Sequence, residues 1–179
     1  MDGNPQARPT AAQGNAITRL FGLRGETWMR HANPVSVWTR FAVLPLLVIS
    51  IWSRVWIGWL CLVPLVVSLV WMMVNPLFFK PPRSTNNWAS KGVLGERIFT
   101  EADRGTLPVP FRSRIPAVAQ AYQGVGAIPL VYGLIVLDPI VAVTGMLIVQ
   151  GGKLWLIDRM VLLFEAAKLE NPEYAKWEY

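Results

Sequence analysis

Residues 55–79, VWIGWLCLVPLVVSLVWMMVNPLFF, form an apolar run that contains no charged side chain. A helix needs about 20 apolar residues to cross the hydrocarbon core of a bilayer, which is roughly 30 Å thick. Because lipid offers the backbone no hydrogen-bond partners, a segment of this kind must be helical. The run therefore predicts a transmembrane helix.

Three further apolar runs have a similar length, at 33–52, 115–137 and 139–157. The whole chain is 53% hydrophobic and only 16% charged, which is more apolar than a typical soluble domain. Only Ser53 and Arg54 separate the first two runs, and only Asp138 separates the last two. We therefore expect an all-α polytopic membrane protein with four transmembrane helices in two antiparallel hairpins.

Basic residues are concentrated on one side of the predicted membrane, beyond the ends of the apolar runs that are opposite to the two short turns. They are Arg8, Arg19, Arg24, Arg30, Lys80, Arg83, Lys91, Arg97, Arg104, Arg112 and Arg114. By the positive-inside rule, both termini and the central loop are predicted to be cytosolic, with the chain in the inner cell membrane. The net charge of +6 then favours anionic lipids over nucleic acid as a partner.

Two segments outside the runs mix apolar and basic residues, which is typical of helices that lie in the membrane interface. In the second of these segments, Ser84 or Thr85 is the expected N-cap. The predicted parts are a disordered cytosolic tail (1–14), an interfacial helix (15–32), a first transmembrane hairpin (33–79), a cytosolic loop (80–114) with an amphipathic helix (85–99), a second hairpin (115–158), and a cytosolic C-terminal helix and tail (159–179).

Polar side chains from three runs are expected at one depth. Arg40 lies 14 residues from Arg54, Gln123 lies 14 from Leu137, and Lys153 lies 14 from Pro139. At about 1.5 Å per residue, each is roughly 21 Å from the outer turn. We predict a cytosol-facing pocket for an anionic group, such as a lipid phosphate or a carboxylate. Its expected lining is Arg40, Gln123, Gln150, Lys153, Asp158 and Arg159.

Residues near the cytosolic boundary are expected to cover this pocket. They are His31, Asn33, Asn75, Asn86, Asn87 and Lys91, with Glu96 and Arg97 in the same segment as the last three. Three alternatives remain open. The cations can snorkel to the interface, Arg40 can pair with Asp158, and the segment at 83–97 can be an ordinary solvated helix face.

Glycines recur every seven residues on the last two runs, as Gly126 and Gly133 and as Gly145 and Gly152. Small residues on one helix face let two backbones approach closely. The spacing predicts that the third and fourth transmembrane helices pack tightly along these faces.

Several kinds of chemistry are excluded by what the sequence lacks. A single histidine rules out sites built from several histidines, and a single cysteine rules out a disulfide within the chain. There is no phosphate-binding glycine loop and no G-x-S-x-G motif. The sequence identifies no cofactor. His31 on its own can serve as an axial ligand, so a haem- or chlorophyll-binding subunit stays an alternative.

The stretches MRHANPVSVWTRF (29–41), RSTNNWASKGVLGER (83–97) and GGKLWLIDRM (151–160) resemble an uncharacterised family of small bacterial and archaeal multi-spanning membrane proteins. The resemblance covers roughly residues 25–165 and implies a membrane fold, without catalytic residues. The leading hypothesis is a non-enzymatic integral membrane protein that binds lipid or acts as an accessory subunit, either as a homo-oligomer or within a larger membrane complex. The rival is a membrane enzyme acting on a lipid or isoprenoid, with Asp158 as acid or base.

Overall fold

The computed structural model describes residues 26–112 and 115–179. Every regular element in this part of the chain is a helix, which confirms the predicted all-α class. The predicted tail at 1–14 and residues 15–25 of the predicted interfacial helix lie outside the described residues. The α-helices are α1 (Glu26–His31), α2 (Pro34–Trp52), α3 (Arg54–Ile57), α4 (Leu62–Phe78), α5 (Trp88–Glu101), α6 (Ile115–Val136), α7 (Pro139–Glu170) and α8 (Pro172–Ala175).

Three helical stretches of the described chain are long and apolar enough to cross a membrane, judged by length and composition. They are Pro34–Phe78, Pro116–Val136 and Pro139–Glu170. The first has 45 residues and folds back on itself, because a 3₁₀ turn at Gly58–Cys61 follows the short helix α3. The Ser36 hydroxyl lies 2.6 Å from the side-chain amide of Asn75, and this contact joins the start of α2 to the end of α4. These two helices therefore run antiparallel.

Helices α6 and α7 form a second antiparallel pair with glycines along its seam. A Cβ built at Gly126 would lie 2.6 Å from Cγ2 of Ile148, and one at Gly152 would lie 2.7 Å from Cγ of Gln123. Both distances are too short for a real side chain, and Gly133 and Gly145 are equally confined. The predicted tight packing of this pair along its glycines is confirmed. Asp138 caps the start of α7 by accepting from the backbone N–H of Ile140 at 2.9 Å.

Helix α7 runs without a break past the predicted boundary at 158–159, for 32 residues in all. At about 1.5 Å per residue it is roughly 48 Å long, which exceeds a hydrocarbon core of about 30 Å. Its last third packs against α5 instead, where Leu163 and Phe164 are fully buried. The continuous helix thus joins the apolar pair to a second core built around α5.

The helix predicted at 85–99 begins three residues later, at Trp88. Its N-cap is Asn87, whose Oδ1 accepts the backbone N–H of Ser90 at 2.9 Å. The two residues expected as caps are used elsewhere. The hydroxyl of Ser84 donates to the carbonyl of Tyr179 and that of Thr85 donates to the carbonyl of Trp177, both at 2.8 Å.

Candidate functional site

Helices α2 and α7 meet at the level that the residue counts predict. The ammonium of Lys153 lies 4.5 Å from the ring centroid of Phe41, the residue after Arg40. The side chain of Gln150 donates to the carbonyl of Phe41 at 2.7 Å. Gln123 packs on Gly152, directly beside Lys153. The equal spacing from the turns does place these side chains at one level of the helix bundle.

Arg40 is held by His31, which ends α1. Its guanidinium donates to Nδ1 of His31, and a second bond of 2.9 Å reaches the backbone carbonyl of the same residue. An arginine only donates, so Nδ1 must accept and the ring must be neutral, with its proton on Nε2. Burial, together with the positive charges of Arg40 and Lys153, also lowers the pKa of His31 well below its usual value. These bonds hold the Arg40 guanidinium in place, but the neutral imidazole does not compensate its positive charge.

A buried aromatic layer supports these cations. Trp28 and Phe41 pack with Val93 of α5 in one core cluster. The indole ring of Trp28 meets the imidazole of His31 edge-on, with ring centroids 5.9 Å apart. The indole N–H is buried and has no hydrogen-bond acceptor among the residues that the structure describes. Rigid apolar packing from three helices therefore surrounds the charged groups.

Glu96 supplies the anionic member of the site. Its side chain is exposed on α5 and lies near enough to Arg40 and Lys153 to interact with both electrostatically. Within the described residues, neither Glu96 nor Lys153 has a direct ion pair. Sequence reasoning placed Glu96 only among residues of the covering segment. Val93 lies one helical turn before Glu96 on the same side of α5 and belongs to the same core cluster as Phe41. The packing of Val93 therefore brings Glu96 toward α2.

Asp158 and Arg159, two of the predicted lining residues, form a separate pair. Their side chains are 2.7 Å apart, and Nε1 of Trp88 lies 3.4 Å from the other carboxylate oxygen of Asp158. The alternative in which Arg40 pairs with Asp158 is therefore wrong. Asp158 is engaged by its own neighbour in sequence, which leaves Arg40 available.

Most residues expected to cover the pocket have structural partners in the described chain. Asn33 caps α2 and also donates to the carbonyl of Lys80 at 2.9 Å. Asn87 caps α5, and the Asn75 amide lies between α2 and α4. Lys91 forms ion pairs with Glu165 at 2.7 Å and with Glu178 at 2.8 Å. Among the described residues of this set, His31 is bonded to a lining residue, Arg40.

The arrangement contains two cations, one unpaired carboxylate and a neutral imidazole at one end of the helix pairs. Arginine and lysine together are well suited to anionic oxygens, with arginine supplying paired donors and lysine a mobile charge. In the part of the chain that the structure describes, no cluster of histidine, cysteine or acidic residues is arranged to hold a metal ion. These side-chain types are suited to contacts with charged groups.

A protein-family model with the description "Family of unknown function (DUF6653)" matches residues 12–177. The matched range includes α1 through α8 and every residue of the site, and it confirms the resemblance to an uncharacterised family. No curated protein and no solved structure matches the chain. The family description names no activity, so the charge and geometry of the site are what bear on function.

Proposed function

We propose that the chain, which belongs to the DUF6653 family of unknown function, is an integral membrane protein that binds the phosphate of a lipid head group between Arg40 and Lys153. The proposal rests on one observation: two cations from different helices lie near enough to each other to interact electrostatically, and neither forms an ion pair with a carboxylate within the described residues. With Glu96 counted, the group carries one more positive than negative charge, and an excess cation at membrane depth is costly, so an anionic ligand is expected there.

A lipid explains this placement better than a soluble anion. In the proposed arrangement, α2, α4, α6 and most of α7 cross the bilayer, and the termini and α5 lie on the cytosolic side. Arg40 and Lys153 then sit about 9 Å below the cytosolic edge of a core roughly 30 Å thick. A lipid phosphate at that depth brings its acyl chains into the same region of the bilayer. The exposed aromatic side chains of Tyr122 and Trp155 are amphipathic and can pack against those acyl chains.

The activity proposed is lipid binding without catalysis, in a homo-oligomer or as an accessory subunit of a membrane complex. An enzyme using Asp158 is less well supported, because that carboxylate is bonded to Arg159 and Trp88. The variant Asp158→Asn tests this rival directly. Unchanged lipid binding in this variant supports a site formed by Arg40 and Lys153 alone, and loss of binding contradicts it.

The main test measures lipid retained by the full chain after purification in mild detergent, using native mass spectrometry. We expect Arg40→Gln and Lys153→Met each to reduce the retained phospholipid about tenfold, since each removes a charged hydrogen bond. Arg54→Gln is the matched control, because it removes a cation at the opposite end, where Arg54 donates to the carbonyl of Leu134 at 2.6 Å. Equal lipid loads in wild type and all three variants would overturn the proposal.

A further inference from the structure

A cavity of about 180 Å³ lies where α5 and α7 end. Its buried lining is apolar and includes Ile98, Leu107 and Ala167. Its exposed lining is polar and includes Thr106 and Glu170. A cavity of about 150 Å³ with apolar walls is large enough to hold a benzene ring. This cavity therefore has room for a small organic group, with its apolar part inside and its polar part at the opening.

The two helices that border the cavity run parallel. A Cβ built at Gly92 would overlap the side chain of Ile157, and one built at Gly95, three residues later, would overlap the main chain of Met160, also three residues later. The contacts thus advance in the same direction along both helices. Both helices therefore bring their C-terminal ends to the same place.

These helix ends make the cavity electrically negative. The residues that follow the two helices, Ala102 after α5 and Asn171 after α7, both line the cavity. The last carbonyls of a helix have no partner within it, and the macrodipole places about half a negative charge at that end. The carboxylate of Glu170, also in the lining, adds a full negative charge.

The lining residues that the structure describes include no basic side chain to balance this charge. The last turn of α5 has no basic residue, and the last turn of α7 has Lys168. The Lys168 ammonium lies 2.6 Å from Glu165 and 2.5 Å from Glu178, so it is already paired with other carboxylates. A cation from outside is therefore favoured in the cavity.

We propose that this cavity binds a small organic ammonium whose apolar body is about the size of a benzene ring. The ammonium lies at the opening beside Glu170 and the helix ends, and the body packs on Ile98 and Leu107. The ring of Tyr174, which also lines the cavity, is of a type that attracts cations. The site is separate from the lipid site, because α7 is roughly 48 Å long and its end lies beyond a hydrocarbon core of about 30 Å.

Other ligand classes match this lining less well. A calcium ion takes six to eight oxygen ligands and is usually held by several carboxylates, whereas the described lining has the carboxylate of Glu170 beside apolar walls. An anion would be repelled by the helix ends and by the same carboxylate. A neutral apolar molecule would leave the negative charge at the opening without a partner.

The experiment titrates the full chain in mild detergent by isothermal calorimetry, with protein-free micelles as the blank. The probe is benzylamine, which is positively charged at neutral pH. Benzyl alcohol and benzoate have the same ring with a neutral and a negative group. We expect benzylamine to bind about tenfold more tightly than either. Glu170→Gln should weaken its binding about tenfold, because a charge-assisted hydrogen bond is lost.

Three further variants locate the probe. Glu173→Gln is the matched acidic control and should bind benzylamine like wild type, because Glu173 is bonded to Lys176 at 2.6 Å and is not part of the lining. Ala102→Leu places a larger side chain at the cavity and should abolish binding, with circular dichroism showing that the chain is folded. Lys153→Met should bind benzylamine like wild type, since it alters only the lipid site.

Several results would overturn the inference. Equal affinity for benzylamine and benzoate, or wild-type affinity in Glu170→Gln, would show that the cavity does not select a cation. Unchanged binding in folded Ala102→Leu would place the probe outside the cavity. Loss of benzylamine binding in Lys153→Met would place it at the lipid site. None of these results depends on whether phospholipid is retained, so the proposed function stands or fails separately.

Discussion

Gly95 of α5 packs directly on the main chain of Met160 in α7. A Cβ built at Gly95 would overlap the carbonyl oxygen of Met160 and lie 3.1 Å from its Cα. One turn earlier, a Cβ at Gly92 would overlap the side chain of Ile157. These contacts fix α5 against the longest helix of the fold and hold Glu96, the next residue, in place beside the site.

The variant Gly95→Ala should therefore destabilise the protein and displace Glu96. The atom it meets is backbone and cannot rotate away, so we expect a cost on the order of 1–3 kcal/mol from overpacking. The measurement is the thermal unfolding midpoint of the detergent-purified chain. Gly151→Ala is the matched control, because nothing lies within 4 Å of a Cβ at that position. An equal midpoint for both variants would contradict the packing argument.

The level of the site could be predicted from the sequence because helix rise is constant. Arg40, Gln123 and Lys153 each lie the same number of residues from a turn, and the turns are set by short polar breaks in apolar runs. The glycine seam between α6 and α7 could be predicted for a similar reason, since a seven-residue spacing keeps Gly145 and Gly152 on one face. Both arguments use only local geometry.

The position of α5 could not be predicted in this way. An amphipathic pattern shows that one face of a helix is covered, but it does not show by what. Here the covering partner is the end of α7, which the apolar pattern did not distinguish from a solvated tail. Without that contact, Glu96 looked like one more polar residue of a surface segment, and Asn87 could not be preferred over Ser84 as the cap.

Asn75 is expected to be essential for joining α2 and α4. Its buried amide lies 2.6 Å from the hydroxyl of Ser36 and 2.8 Å from that of Thr39. Asn75→Leu should cost about 1–3 kcal/mol, because it removes the amide that bonds the buried hydroxyl of Ser36 and that of Thr39, and the Thr39 hydroxyl then keeps only its bonds to backbone carbonyls of α2. The measurement is the free energy of unfolding in a double-mutant cycle with Ser36→Ala. We expect the double variant to recover part of the loss, and strict additivity would contradict a direct bond.

The pair formed by His31 and Arg40 predicts a dependence of stability on pH. The folded protein lowers the pKa of His31, so the unfolded chain takes up this proton first as the pH falls. Stability is therefore fully present above the ordinary histidine pKa of about 6.5 and decreases as the pH falls toward the folded value. The thermal midpoint of the purified chain should be lower at about pH 5.5 than at about pH 7.5.

His31→Asn is the control for this effect. Asparagine offers an acceptor near the position of Nδ1, and it does not titrate. The variant should keep the bond from Arg40 and show a smaller fall of the midpoint over the same range. If wild type and variant lose stability equally, another group is responsible for the dependence.

The segment after α7 is held by a network of four charged side chains. Lys91 lies 2.7 Å from Glu165 and 2.8 Å from Glu178, and Lys168 bonds to the same two carboxylates. Hydrogen bonds to Glu165 and Glu178 raise the pKa of Lys91, and those from Lys168 and Lys91 lower the pKa of Glu178. The network therefore stabilises the fold at neutral pH and weakens as the pH falls through the lowered pKa of Glu178 or rises through the raised pKa of Lys91.

Lys91→Met should release residues 172–179 from α5, since Glu178 then loses one of its two partners. The measurement is amide hydrogen exchange, and we expect faster exchange in this segment and at Thr85, whose N–H bonds to the carbonyl of Tyr179 at 2.8 Å. Lys176→Met is the control, because within the described chain Lys176 forms an ion pair with Glu173 alone, and that pair is well exposed. Exposed pairs contribute about 0–1 kcal/mol, so this variant should exchange like wild type. Equal acceleration in both variants would show that the network does not hold the segment.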